Sequence, residues 1–103
     1  MSKYKAIKTN GYSSKKEAKR AEELKILQRI GDISELKEQV VFILAPSVVR
    51  KGRKRPPVKY IADFTYTENG KHIVEDVKGM KTSMYNLKAH LMMAVHGIDI
   101  KET

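Results

Sequence analysis

The chain contains no cysteine and no tryptophan, and has only two phenylalanines and five tyrosines among its 103 residues. Without cysteine, disulfides and thiolate zinc sites are excluded, which suits an intracellular protein. The longest apolar run, Val40 to Ala45, is far too short to span a bilayer, and the N-terminus shows no signal-peptide pattern. No basic amphipathic stretch carries Trp or Phe anchors, so membrane binding is not expected. Acid is also scarce. Twelve Asp and Glu stand against twenty-one Lys and Arg, a net charge of +9. That excess favours a polyanionic partner, with nucleic acid the leading candidate. With no Trp, and with Phe42 and Phe64 placed as core, recognition of shape or backbone is expected over base stacking. A chain of this length buries roughly 60–65% of its unfolded surface in one modest core. Self-association as a homodimer is a common remedy that the sequence leaves open.

Residues 1–12 read as a basic arm and 13–103 as a single domain. Ser13 and Ser14 open a helix to about Ile30, with Ala18, Ala21, Leu24, Leu27 and Ile30 as its apolar stripe and Gly31 as its stop. Ile33 and Leu36 anchor the connection. Gln39 to Leu44 reads as a buried strand that Pro46 helps to end. Residues 50–57 form a basic loop, kept irregular by Gly and Pro. Two strands around Tyr60–Phe64 and Val74–Gly79 follow, joined at Glu68-Asn69-Gly70. A second helix runs from about Thr82 to His96 on a stripe of Met84, Leu87, Leu91 and Val95, before Gly97 and a short strand at Ile98–Ile100. The order is αβββαβ, an α/β chain.

The two central strands carry the chemistry. If Asn69-Gly70 is a two-residue turn, residue i pairs with 139 − i and Asp63 faces Asp76. A three-residue loop would instead set Asp63 against Glu75. An acid faces an acid in either register, which destabilises a sheet unless something neutralises the pair. The first register is preferred because it gathers Asp63, Asp76 and Lys78 on one face, beside Thr65 and Val74. Ala62, Phe64, Tyr66, Ile73 and Val77 then form the core face, with Glu75 as its exception.

Hydrolysis of a phosphodiester needs an activated water and an offset for charge on the phosphorus oxygens, and a hard cation such as Mg²⁺ can supply both. Asp63, Asp76 and the Val77 carbonyl are candidate ligands, with Mn²⁺ a natural substitute. Lys78 could orient the water or stabilise the developing oxyanion. Glu17 is a third acid. It stands at capping-box spacing from Ser14, so metal ligand and helix cap remain even alternatives. Glu22 fits a solvated charge pattern better. Gln39 is a possible accessory, more simply a strand cap. His72, His90 and His96 show no zinc-ligand spacing. Arg50, Lys51, Arg53, Lys54 and Arg55 put five basic residues in six positions beside the site and are candidates for phosphate contact. Lys15, Lys16, Lys81 and Lys88 are weaker ones. Met84, Met92 and Met93 read as core, although the adjacent Met92 and Met93 cannot share one core face.

An acid on the first helix, then a hairpin bearing Asp63 and Asp76-Val77-Lys78, resembles the PD-(D/E)xK nuclease superfamily. The segments Asn10–Ala18, Tyr60–Phe64 and Val74–Gly79 resemble a group of small phage-encoded proteins placed there, alongside Holliday-junction resolvases and restriction endonucleases. The resemblance spans residues 10–100. It implies a restriction-endonuclease-like core, a mixed central sheet flanked by helices. It also implies Mg²⁺-dependent cleavage of branched or structured DNA during phage recombination, in the cytoplasm of a bacterial host. Asp63, Asp76 and Lys78 take the motif roles and Glu17 that of the helix acid. Ala62 stands where the name-giving proline would be, and Asp76 replaces the more frequent Glu. A non-catalytic DNA-binding module on the same fold, or an RNase, is the alternative.

Overall fold

A computed structural model describes residues 11–78 and 81–103 of the protein. Helix α1 spans Lys15–Arg29 because Ser14 adopts extended backbone and its Oγ accepts the Glu17 N–H at 3.0 Å. Gly31, at φ +90°, closes it, and the Asp32 N–H returns to the Leu27 carbonyl at 2.9 Å. Ala18, Ala21 and Leu24 are buried as the spacing predicts, but Ile30 lies beyond the packed face and is exposed. Residues 1–10 of the expected arm lie outside the described residues, as does Gly79. Tyr12, assigned to that arm, packs against the α1 core.

Strand β1 (Ser34–Ala45) starts well before Gln39, because its partner β4 (Val58–Glu68) is eleven residues long and offers a ladder to residues with little strand character. The pairing is antiparallel with a register shift between Ser34 and Lys37, and both Glu35 and Gln39 take positive φ. The basic segment is not a loop. Val48–Arg50 (β2) and Arg53–Arg55 (β3) form a hairpin around Lys51-Gly52, both at positive φ, the geometry of a type I′ turn. Pro46 and Pro56-Pro57 lack the N–H groups a continuous ladder would need, so this hairpin is a separate two-stranded arm.

Strand β5 (Lys71–Asp76) pairs with β4 through Asn69-Gly70, at φ 52° and 76°. Glu68 pairs with Lys71 and Phe64 with Glu75, the register of a two-residue turn, so Asp63 lies level with Asp76. Helix α2 (Ser83–Leu91) is capped by Thr82 and runs into a π-helical turn at Met92–His96. Its inward face is not the expected stripe. Of that stripe Leu91 packs inward but Met84, Leu87 and Val95 are exposed, whereas Tyr85 and Met92 are buried and Ala89 packs beside them. The helix offers two apolar stripes of the same spacing, and the wider π turn helps bring Met92 rather than Met93 inward. The last strand, β6 (Lys101–Glu102), lies just beyond Ile98–Ile100, because Ile98 and Ile100 pack inward.

The main sheet has the order β1-β4-β5-β6, antiparallel except for β5–β6. The protein is therefore α/β, with a mixed sheet and, among the described residues, two α-helices. Among the described residues no helix is long and apolar enough to cross a membrane. The expected single core face is divided. Tyr60 and Ala62 join Leu44, Val74, Tyr85, Met92 and Ile100, whereas Phe64 and Tyr66 join Ala21, Leu24 and Ile33. Residues of one parity in β4 thus serve α2 before Asp63 and α1 after it. Gln39, in its left-handed conformation, stands across the ladder from Asp63 between the pairs Glu38–Phe64 and Val40–Ala62. Burying Phe64 and Leu24 contributes about 1.5–3 kcal/mol each, which fixes the α1 side of this crossover.

Candidate functional site

Asp63 and Asp76 meet where the two cores part. Asp63 Oδ2 accepts the Val77 N–H at 2.9 Å, which ties β4 to the chain leaving β5. Asp76 is buried; its Oδ2 accepts the Tyr60 hydroxyl at 2.6 Å, and its Oδ1 lies 3.4 Å from Lys78 Nζ. Burial pushes the Asp63 carboxyl up from its ordinary 3.8 to about 7, helped by a hydrogen bond to Asp76 and by the charges of Asp76 and Glu17. Burial likewise raises the Tyr60 phenol, with Asp76 adding to the effect, so Tyr60 serves as a hydrogen-bond donor at neutral pH. Lys78 Nζ sits 4.1 Å from the Tyr85 ring centroid, a cation–π contact that holds the ammonium beside Asp76. Tyr85 is itself fixed by its hydroxyl, which donates to Glu102 at 2.7 Å. Asp63, Asp76, Tyr60, Lys78 and Tyr85 line an open cavity of about 380 Å³ that also takes in Lys59 and Lys88.

Glu17 reaches the neighbourhood from the other side. Its backbone N–H is capped by Ser14, but its carboxylate does not complete a capping box. It accepts from the Ser13 hydroxyl at 2.8 Å and the Gln39 amide at 3.3 Å. Glu17, Gln39 and Asp63 line a second cavity of about 350 Å³, so Asp63 is shared between the two. Gln39 is not a strand cap. It lies inside β1 and steers Glu17. Glu22 is exposed and pairs loosely with Lys25 at 3.9 Å.

Glu75 belongs to a different structure. It is fully buried and accepts from Arg20 at 2.6 and 3.1 Å, from Tyr66 at 2.6 Å and from Thr103 at 2.9 Å. Burial alone would raise its carboxyl, but these donors outweigh it and hold Glu75 below the usual range.

The basic residues divide. Lys16 Nζ donates to the Lys78 carbonyl at 2.9 Å, at the margin of the site, and Lys15 is exposed nearby on α1. Lys81 is drawn to Glu102 at 2.7 Å. The five charges of the arm are not beside Asp63. None of them lines either cavity that Asp63 borders, and Pro56-Pro57 set their hairpin apart from β4. His96 Nε2 lies 2.8 Å from the Ile43 carbonyl, and His72 and His90 are exposed. Sequence reasoning missed Tyr60 and Tyr85. The available signal was a tyrosine in an apolar strand two residues before Ala62, and another seven residues after Lys78.

A family model described as Protein of unknown function (DUF1064) matches residues 1–103. The chain belongs to the DUF1064 family. Among curated proteins none matches it. What the DUF1064 chain offers a metal must therefore be judged on its own residues. Among the described residues, no group of three or more His, Asp or Glu side chains is disposed to hold an ion. Glu17, the third acid that the sequence left open as ligand or cap, is engaged by Ser13 and Gln39 and shares a cavity with Asp63. Asp63 and Asp76 do provide two adjoining carboxylates whose mutual repulsion a cation would relieve. Mg²⁺ is commonly held by one or two carboxylates, with water and phosphate oxygens completing its shell. Val77 joins through its N–H, which holds Asp63.

Proposed function

We propose that the protein is a metal-dependent DNA endonuclease with a PD-(D/E)xK-like site, acting on branched or structured DNA in phage recombination or DNA processing within a bacterial host. The observation that carries this reading is the Asp63–Asp76 pair with Lys78 Nζ 3.4 Å from Asp76, in a chain of net charge +9. Like charges forced together in a half-buried site are costly, and they persist where a function uses them. The αβββαβ order, with the β2–β3 arm inserted, agrees with a restriction-endonuclease-like core.

In this reading Asp63 and Asp76 present oxygens to Mg²⁺ or Mn²⁺, and Val77 and Tyr60 fix their orientation. The bound cation supplies charge neutralisation at the phosphate and lowers the pKa of water. Lys78, steadied by Tyr85, faces the phosphorus oxygens and stabilises the negative charge that develops on them. Glu17 and Gln39 line the second cavity, which Asp63 also borders, and can position water there. The β2–β3 arm holds the phosphate backbone away from the cut, so affinity is strongly salt-dependent.

The engagement of Asp76 by Lys78 and Tyr60 also favours a second reading, a DNA-binding module in which these acids are neutralised from within. Incubating the protein with a four-way junction, linear duplex, single strand and RNA, each with Mg²⁺, Mn²⁺ or EDTA, separates the two. Metal-dependent cutting of DNA supports the nuclease. Binding without cutting on every substrate supports the module, and cutting confined to RNA makes it an RNase.

A further inference from the structure

A basic cavity of about 460 Å³ lies beside Val77, and the reaction proposed above does not use it. Lys16, Lys19, Arg20 and Glu23 of α1 line it together with Val77, Lys101 and Thr103. Four cations line it against one carboxylate, that of Glu23; Glu23 and the fully buried Glu75, which does not line the cavity, are both committed to Arg20. Glu75 takes the Arg20 guanidinium at 2.6 Å, and Glu23 takes it at 3.1 Å. The contacts made by the lysines are with neutral atoms. Lys16 donates to the Lys78 carbonyl at 2.9 Å, and Lys101 lies 3.4 Å from the Tyr66 hydroxyl. Among the described residues Lys19 makes no ion pair. The positive charge of three lysines therefore faces a space too large for one or two waters.

We propose that this cavity is a phosphate-binding subsite. Separate ammonium groups on different elements suit a tetrahedral anion approached from several directions, whereas a planar carboxylate is better matched by a guanidinium fork. Arg20 does not offer that fork, because Glu75 occupies it. The subsite is also joined to the acid pair. Val77 lines the cavity while its N–H holds Asp63, and Lys16 grips the carbonyl of Lys78. A strand with one phosphate in the cavity would place a neighbouring phosphate near Asp63 and Asp76. That placement rests on the nuclease reading; phosphate recognition itself does not.

The test uses the full chain in EDTA, so that binding is read without cleavage. Lys19 and Lys101 are exposed, and circular dichroism confirms the fold of the Lys19→Gln/Lys101→Gln variant. Fluorescence anisotropy compares short single-stranded DNA ending in a 5′-hydroxyl or a 5′-phosphate. The expected variant binds about tenfold more weakly near 0.1 M salt, with a salt slope smaller by about 1.4, as two lost phosphate contacts require. Equal loss on both strands identifies an internal phosphodiester as the ligand. Loss confined to the 5′-phosphorylated strand identifies a terminal phosphate. Inorganic phosphate added to the parent should shift the backbone amides of Lys19, Val77 and Thr103. Parental affinity and slope in the variant, or phosphate shifts confined to residues 50–55, would overturn the subsite. If binding behaves as expected and no DNA is ever cut, the subsite stands and the nuclease reading fails.

Discussion

Replacing Asp63 with Asn should make the metal-free protein more stable while removing cleavage. Asn retains an oxygen for the Val77 N–H and offers an amide N–H toward Asp76, so the hydrogen bonds survive and the charge conflict does not. The Asp63 carboxyl is raised from 3.8 to about 7 in the folded protein. A displacement of that size corresponds to about 4 kcal/mol in full, and solvent screening of a half-buried group reduces it to about 2 kcal/mol. The sign follows from linkage. Because the folded value exceeds the unfolded one, the stability that Asp63 contributes is present in full below pH 4. It is lost as pH rises toward 7. For a domain of this size the variant should melt about 10 °C above the parent at pH 8, and within about 2 °C of it at pH 4. Thermal denaturation in EDTA at both pH values measures this. An Asp63→Asn protein no more stable than the parent at pH 8, or equally stabilised at both pH values, would refute the reasoning.

Adding millimolar Mg²⁺ or Mn²⁺ at pH 8 should raise the melting temperature of the parent and leave Asp63→Asn nearly unchanged, since a ligand of the native state stabilises by mass action. Glu75→Gln should cost about 3–5 kcal/mol and leave little folded protein by circular dichroism, because it strands Arg20 beside a neutral partner in a buried network. Tyr85→Leu removes the aromatic face under Lys78 while filling similar space, so kcat should fall roughly tenfold with KM little changed; an unchanged kcat would remove Tyr85 from the site. Changing Lys51, Arg53 and Lys54 together to Ala should lower the salt slope of duplex binding by up to about 2.7 without altering the melting temperature.

The turn at Asn69-Gly70 was legible because its chemistry is local, and through it the register that sets Asp63 against Asp76. The same geometry at Lys51-Gly52 was not, since a lysine at positive φ carries no such signal and prolines flank the run. The phase of α2 was hidden because two stripes share one spacing, and burial of Tyr85 rather than Leu87 is decided by the sheet. Glu17 was legible as an acid near the site but not as a partner of Gln39, whose left-handed backbone arises only once β1 pairs with β4. Tyr60 enters the site because the core changes sides at Asp63, a tertiary event that the strand's alternation does not show.

The most direct measurement compares the parent with Asp76→Asn on a labelled four-way junction in Mg²⁺, with binding followed in parallel in EDTA. If Asp63, Asp76 and Lys78 form a metal-dependent site, the parent cuts the DNA and the variant does not, while the variant binds as tightly or more tightly. Cleavage that persists undiminished in Asp76→Asn, or that proceeds equally well in EDTA, would contradict it.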